Sequence, residues 1–364
     1  MSAGGGEALD IVAVGARTPV GITAEETAAS VRAGISRARE FPFVDAHGEP
    51  VVLATDGALD PQLEGRERVR ALLESALDQV VRNLTMSGLL RDAGLGQVPV
   101  RQLHLLLALP EARPGLSEGD AVWIAETGAR RVRESIAGAG VDVVIAGRGH
   151  AGAVRAVEAA LRDGRGRDDV LWLVAGADSY VHSETFLWLE SQMRFARAGV
   201  RSGFVPGEGA ACLALATPRL RARLRARCLA AVGGAATAEE KQVRGGEAGS
   251  SGAGLAQAVR AAMAGVALPV HAADTIYIDI NGERYRSEEW GFVALNVPEA
   301  FKSLQYLAPS DCCGDVGAAF GALGAILAVR SYARGYARGP RSLVLAGSDG
   351  GLRGAMLILD PKTL

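Results

Sequence analysis

The sequence has little cysteine, little lysine and no long uninterrupted apolar run. Its four cysteines, at 212, 228, 312 and 313, are too few and too unevenly spaced for a disulfide framework or a paired CxxC zinc site, which predicts reduced thiols. Only three of the 39 basic residues are lysine, and the net charge of -2 gives no reason to expect nucleic acid as a partner. The five histidines show no HExxH or similar spacing, so we expect no metal and no cofactor.

Targeting signals are also missing from the sequence. The N-terminus, MSAGGGEALDIVAVG, lacks a basic region followed by a long apolar stretch, and no apolar run elsewhere is long enough for a membrane span. We therefore expect a cytoplasmic protein. With 364 residues, of which 49% are hydrophobic, the chain can bury a large core and has the length of about two ordinary domains.

Short apolar runs alternate with longer Ala-, Arg- and Glu-rich stretches of helical period, the pattern of an α/β protein whose sheets are covered by helices. The apolar runs predict strands over 10–15, 103–109, 141–146, 170–175, 210–215, 226–233, 275–280, 342–347 and 353–359. Helical periods predict helices over 252–264 and 316–334, and a capping box predicts another from Thr23 to about Arg32.

The second half of the chain repeats the pattern of predicted strands and helices of the first half. The Arg-rich piece PRLRARLRAR, residues 218–227, has the composition of a connector. We expect an N-terminal half over 1–217 and a C-terminal half over 218–364. The stretch GGEAGSSGAG, residues 245–254, is expected to be a solvent-exposed linker.

The segment VDVVIAGRGHAG, residues 141–152, runs from a strand through a Gly-rich turn into a helix, and its tip contains neither Cys nor Ser. Five further segments accompany it. They are IVAVGARTPVGITAEETAASVRAG from Ile11, VAGADSY at 174–180, RSGFVPGEGAACLAL at 201–215, and the pair GDVGAAFGALGAIL at 314–327 and LVLAGSDGGLRGAMLIL at 343–359.

Taken in order, these segments resemble the β-ketoacyl synthases of the thiolase superfamily. The strongest match is GFVPGEGA, which is similar to the family's RDGFVxGEGA signature. The resemblance covers nearly the whole chain and implies the thiolase fold, an α/β fold of five layers, αβαβα. It further implies two similar halves, each with a mixed five-stranded sheet.

The residues that carry the family's reaction are replaced in this sequence. A condensing enzyme holds its acyl group on a Cys thiolate and uses two later His residues, or His and Asn, to assist decarboxylation and stabilise the enolate. By the resemblance, the Cys position falls on Gly149 or, with a one-residue gap, on His150. The first His position falls on Asn281 and the second on Asp315, while Asp349 stands where the family has a gating Phe.

Three hypotheses for function follow. The first is a catalytically inactive ketoacyl synthase-like protein, a partner or scaffold subunit in acyl-chain or polyketide-type biosynthesis, as the chain-length-factor partners of type II polyketide synthases are. The second is a divergent acyl-thioester or ester-processing enzyme with a rebuilt site of His150, Asn281 and Asp315, in which His150 acts as a general base. The third is an accessory or adaptor protein of a specialised pathway such as protein secretion. The non-catalytic interpretation is favoured.

The resemblance also implies a dimer. In this superfamily the strand before the nucleophile, here Val141–Ala146, pairs across a two-fold axis. The partner is either a second copy or an active synthase. Acyl carrier protein and acyl-coenzyme A are the ligands that the family implies, but Arg284, Tyr285 and Arg286 are predicted to fill the pantetheine entrance, so coenzyme A binding is not expected.

Other reactive residue types are interpreted as structural. The pair Cys312-Cys313 is more typical of buried small hydrophobes than of a reactive pair. Glu283, Glu288 and Glu289 are predicted to form a solvated helix surface. Ser348 lies close to where thiolases place a second Cys and is predicted to serve a turn.

Overall fold

The computed structural model describes residues 8–86, 100–136, 140–197, 199–200, 202–243 and 251–363. Its strands are β1 (Leu9–Arg17), β2 (Ala38–Val44), β3 (Pro50–Ala54), β4 (Gln102–Leu109), β5 (Gly140–Arg148), β6 (Val170–Ser179), β7 (Glu208–Ala216), β8 (Ala230–Glu239), β9 (Thr275–Ile278), β10 (Tyr306–Leu307), β11 (Arg341–Gly347) and β12 (Leu352–Leu359). Ten of them form one sheet in the order β10-β9-β11-β12-β8-β1-β7-β6-β4-β5, and β2 and β3 form a separate hairpin.

The ten-stranded sheet consists of two five-stranded groups with the same pairing pattern. In the first group β7 is antiparallel to β1 and β6, and β4 is parallel to β6 and β5. In the second group β12 is antiparallel to β8 and β11, and β9 is parallel to β11 and β10. The groups join where residues 9–11 of β1 pair with residues 230–232 of β8. The predicted pair of similar halves with mixed five-stranded sheets is confirmed, while a boundary at 217/218 stays a prediction.

Ten α-helices lie among the described residues. They are α1 (Ala24–Arg32), α2 (Gly65–Met86), α3 (Glu118–Ser135), α4 (Gly152–Asp163), α5 (Ser183–Ser191), α6 (Pro218–Leu224), α7 (Ala253–Ala262), α8 (Arg284–Asn296), α9 (Ser310–Cys313) and α10 (Phe320–Arg334). No helix in the described ranges combines the length and the apolar character that crossing a membrane requires.

Three apolar clusters lie between the layers and pack them together. The central cluster contains Val157 of α4 and Leu323 of α10 together with strand residues of both groups, such as Leu213 and Val344, all of them fully buried. A second cluster packs α2 and α3 against the outer face of the first group. A third packs α7 and α8 against the outer face of the second group. The layers are therefore αβαβα, with α4 and α10 in the middle.

Several elements differ from the sequence-based prediction. Strand β8 continues past Gly234 instead of ending there, because a Cβ atom at this position would lie only 2.1 Å from the Ala262 carbonyl oxygen, and the glycine lets α7 pack against the strand. Helix α10 begins at Phe320, because residues 317–319 form a 3₁₀ turn. The hairpin of β2 and β3 was not predicted, since the first of these strands is mostly exposed and contains proline.

Local capping sets where two helices begin. Thr23 Oγ1 accepts the Glu26 N–H at 3.1 Å, as predicted, although the Glu26 carboxylate accepts the Ile22 N–H and not that of Thr23. The Arg-rich connector is partly helical, because Thr217 caps α6 by accepting the Leu220 N–H at 3.1 Å. Of the predicted linker at 245–254, residues 245–250 lie outside the described residues.

Candidate functional site

The turn between β5 and α4 carries the two residues that the resemblance places at the nucleophile position. Gly149 has a φ of +65°, a left-handed conformation that favours glycine. A Cβ atom there would lie 2.7 Å from Ser348 Oγ and 3.2 Å from Glu111 Oε2. Ser348 serves the turn, because its Oγ donates to the Arg148 carbonyl at 2.9 Å and accepts the Ala151 N–H at 3.1 Å. The backbone conformation and the neighbouring atoms both oppose a side chain at position 149.

The structure brings His150, Asn281 and Asp315 into contact. Asp315 Oδ1 lies 2.7 Å from His150 Nε2 and accepts the Gly317 N–H at 2.8 Å. The other oxygen, Oδ2, accepts a hydrogen bond from Asn281 Nδ2. His150 and Asp315 are 6% and 3% exposed. The carboxylate is thus fully engaged inside the protein, and Gly149 contributes no functional group to the cluster.

Arg286 of α8 occupies the space beside His150. Its Nη1 donates to Asp279 Oδ2 and to the Gly347 carbonyl, both at 2.7 Å. Its Nη2 lies 3.5 Å from His150 Nδ1 and 3.3 Å from Asp349 Oδ1. The side chain is nearly completely buried. A fixed guanidinium therefore faces the imidazole nitrogen that Asp315 leaves free.

A second buried arginine extends this network. Arg194 donates to both carboxylate oxygens of Glu283, at 2.9 and 2.8 Å, and to Asp349 Oδ2 at 2.8 Å. The Tyr285 hydroxyl donates to Asp349 Oδ1 at 2.9 Å. Asp349 thus connects Arg194, Arg286 and Tyr285 through ion pairs and a hydrogen bond.

The predicted solvated surface of Glu283, Glu288 and Glu289 is wrong for two of its three members. Glu283 and Glu289 are buried, and Glu289 Oε1 accepts a hydrogen bond from Arg353 Nε at 2.7 Å. Glu288 is half-exposed and pairs with Arg284, whose side chain is 77% exposed. Arg284 therefore does not fill the interior, whereas Tyr285 and Arg286 do. The helical period of α8 explains this, because residues three and four apart share its inner face.

Neighbouring charges shift the pKa values of His150 and Asp315. Burial alone would lower the pKa of His150, but the Asp315 carboxylate raises it, and the net shift is upward. Burial alone would raise the pKa of Asp315, but His150 and Arg286 lower it far below its ordinary value. Asp315 is therefore held as a carboxylate, and its charge favours a proton on His150 Nε2.

No cysteine sulfur of the chain takes part in this cluster. All four cysteines are free thiols. Cys312 Sγ lies 4.0 Å from the Val31 carbonyl, on the side of α1, and burial raises the pKa of Cys313 to about 12. A thiol held protonated is a weak nucleophile, so the interpretation of this pair as buried small hydrophobes fits their surroundings.

Two cavities border His150. One of about 10 Å³ lies among His150, Asn281 and Asp315 and is too small for more than a water molecule. The other, of about 310 Å³, opens on the side of Gly149, Trp188 and Arg194 but does not reach Asp315. Within the described ranges no group of His, Cys, Asp or Glu side chains is arranged to hold a metal ion.

Sequence reasoning missed three members of the network, namely Asp279, Arg194 and Arg353. Asp279 directly follows the buried strand β9, and a charge at the end of such a strand was the available signal. The burial of the two arginines could not be predicted, because the sequence does not distinguish an arginine on the surface from one in a buried ion pair.

The fold matches solved structures over almost the full length. The ishigamide ketosynthase/chain length factor superposes with a TM-score of 0.76 at 18% identity, covering 97% of this chain and 99% of that chain. A ketosynthase in complex with its chain length factor from Xenorhabdus doucetiae gives a TM-score of 0.73 at 16% identity, with 97% and 98% covered. A β-ketoacyl synthase from Burkholderia phymatum gives 0.72 at 15% identity, with 97% and 99% covered. No family model and no curated protein matches the sequence.

These likenesses define the fold of the molecule. The chain has the fold of these ketosynthase structures, as the sequence motifs predicted. At such low identity the likeness extends to the fold and carries no activity with it. What the site does must be argued from its own residues.

Proposed function

We propose that this protein is a non-catalytic ketosynthase-like subunit, which acts as a partner or scaffold in acyl-chain or polyketide-type biosynthesis. The observation that carries the proposal is the buried network around Arg286. Where condensation would need a thiolate and a substrate arm, there are a glycine, an imidazole paired to Asp315, and a guanidinium bound to Asp279. Acyl-coenzyme A and acyl carrier protein are not required by this function.

A second candidate, the rebuilt enzyme, is favoured by one specific observation. His150 lies 2.7 Å from Asp315 and borders the 310 Å³ cavity, an arrangement with the elements of a general base and its orienting carboxylate. Against it, Arg286 Nη2 faces the free ring nitrogen at 3.5 Å, where a water or hydroxyl would have to donate its proton. Turnover of an acyl ester or thioester that is lost in His150→Ala would establish this candidate over the first.

The partner surface that we propose is the exposed edge of β5. This strand ends the sheet and pairs only with β4 among the described strands. Its Val144 is 53% exposed, and Val143 and Ile145 are partly exposed. An apolar edge strand with free backbone donors and acceptors is a template for pairing with another strand. We propose that it pairs across a two-fold axis, with a second copy or with an active synthase, in the cytoplasm.

Substituting Val144 tests the β5 interface. We expect the wild-type protein, of 37.7 kDa per chain, to elute as a dimer, and Val144→Lys to elute as a monomer, because each subunit would then place an ammonium group in an apolar contact. Light scattering after size-exclusion chromatography measures both masses. The matched control is Val122→Lys, which changes a valine on α3 that is 49% exposed.

Co-expression with a condensing ketosynthase then separates the two kinds of partner. A mixed dimer that Val144→Lys disrupts and Val122→Lys preserves would support the role of partner subunit. A monomeric wild-type chain that also fails to bind the synthase would contradict the proposal. A protein that forms only self-paired dimers would shift the role from partner to homodimeric scaffold and would contradict the partner assignment.

A further inference from the structure

A further cavity, of about 650 Å³, lies away from the two that border His150. Its wall is formed by residues 19–22 after β1, residues 36–39 at the start of β2 and residues 55–58 after β3. It shares no lining residue with the cavity beside His150. A concave surface of this volume is of the size that small-molecule sites have.

Two arginines project into this cavity. Arg37 and Arg39 lie on either side of Ala38, the first residue of β2, and both line the cavity. Arg39 Nη2 donates to Thr55 Oγ1 at 3.2 Å, and its other donors are not engaged by a carboxylate of the described residues. Arg37 donates its backbone N–H to the Cys312 carbonyl, and the residue lines the cavity.

The acidic residues in the wall are already engaged. Asp56 Oδ2 accepts from Arg17 Nε at 2.6 Å, and Asp56 Oδ1 accepts the Ala58 N–H at 2.8 Å. Glu26 Oε2 accepts the Ile22 N–H at 2.9 Å. With Asp56 paired to Arg17, the wall keeps the two guanidinium charges of Arg37 and Arg39 against the single carboxylate of Glu26, so its net charge is positive.

From this geometry we infer a binding site for a small molecule that carries a phosphate or diphosphate group, held by Arg37 and Arg39. Guanidinium groups bind phosphate oxygens in bidentate fashion, and two of them spaced along one extended chain can hold adjoining phosphates. The Ser36 and Thr55 hydroxyls lie in the same wall. This site is independent of the proposed role as a partner subunit.

Titration calorimetry at low ionic strength, with pyrophosphate and ADP as probes, tests the inference. We expect both probes to bind the wild-type protein, and binding to weaken at least tenfold in the double variant Arg37→Gln/Arg39→Gln. The single variant Arg37→Gln, which removes no side-chain hydrogen bond seen in the structure, is expected to weaken binding by a smaller factor. The matched control is Arg219→Gln/Arg223→Gln, which removes the same charge from the exposed face of α6.

Three results would overturn the inference. The first is that neither probe binds the wild-type protein. The second is an equal loss of affinity in the cavity variants and in the α6 control, which would make binding a general effect of net charge. The third is equal affinity for citrate, which would remove the preference for phosphate over carboxylate.

Discussion

Asp315→Ala is expected to lower the free energy of unfolding by about 3–5 kcal/mol, the cost of removing one partner from a buried ion pair. The variant leaves the His150 imidazole, the Asn281 amide and the Gly317 N–H without their acceptor in the interior of the protein. It also removes a negative charge that balances Arg286. Denaturant-induced unfolding of the variant and of the wild-type protein measures the difference.

The control for this substitution is Asp311→Ala. Asp311 lies four residues earlier and is exposed, so its loss is expected to change stability by about 0.5 kcal/mol or less. Equal effects of the two substitutions would mean that the network around His150 contributes no stability, and the assignment of these residues to a structural role would fail.

Glu208→Ala is expected to be as destabilising, by about 3–5 kcal/mol. Glu208 is fully buried, and its carboxylate accepts from Arg68 Nε and Nη2 at 2.5 and 2.8 Å, from Ser179 Oγ at 2.8 Å and from the Asp56 N–H at 2.7 Å. The Ala variant leaves the Arg68 guanidinium buried without its counterion. Thermal and denaturant unfolding measure the loss.

Two further variants make this prediction specific. Glu67→Ala removes a carboxylate from the exposed side of α2 and should be nearly neutral. Replacing both partners, as in Arg68→Met/Glu208→Leu, should cost less than Glu208→Ala alone, because no unpaired charge remains. A double variant less stable than Glu208→Ala would contradict the ion-pair interpretation.

The role of Glu208 explains which part of the family resemblance survives. In the motif GFVPGEGA, Glu208 holds Arg68, and Gly207 lies so close to α9 that a Cβ atom would be 2.2 Å from the Cys313 carbonyl oxygen. These residues serve the fold. By the resemblance, Gly149, Asn281 and Asp315 stand at the positions that serve the reaction in the family, and we propose that these are the positions at which the chain departs from it.

The fold could be predicted from the sequence because the apolar runs indicate the individual strands and the order of the motifs indicates the topology. The prediction failed where packing between elements determines the bounds of a strand. The extension of β8 through Gly234 depends on the close approach of α7, which only the assembled layers reveal. The exposed hairpin of β2 and β3 has no alternating apolar pattern, so it carries no periodic signal for a strand.

The site was predictable only in part. The resemblance indicated that His150, Asn281 and Asp315 would converge, because homologous motifs occupy the same ends of strands and helices. It did not indicate how their surroundings had changed. Pairing of Arg194 with Glu283 joins residues 89 positions apart, and nothing in the local sequence of either residue distinguishes a buried partner from a solvated one.

The central claim, that a ketosynthase fold is kept here without condensation chemistry, is tested most directly by intact-protein mass spectrometry. The protein is incubated with acyl-coenzyme A and malonyl-coenzyme A, a condensing β-ketoacyl synthase serves as positive control, and release of free coenzyme A is followed in parallel. We predict an unchanged mass and no release above the rate without protein. An acyl adduct on Cys312 or Cys313, or release that His150→Ala abolishes, would contradict the account.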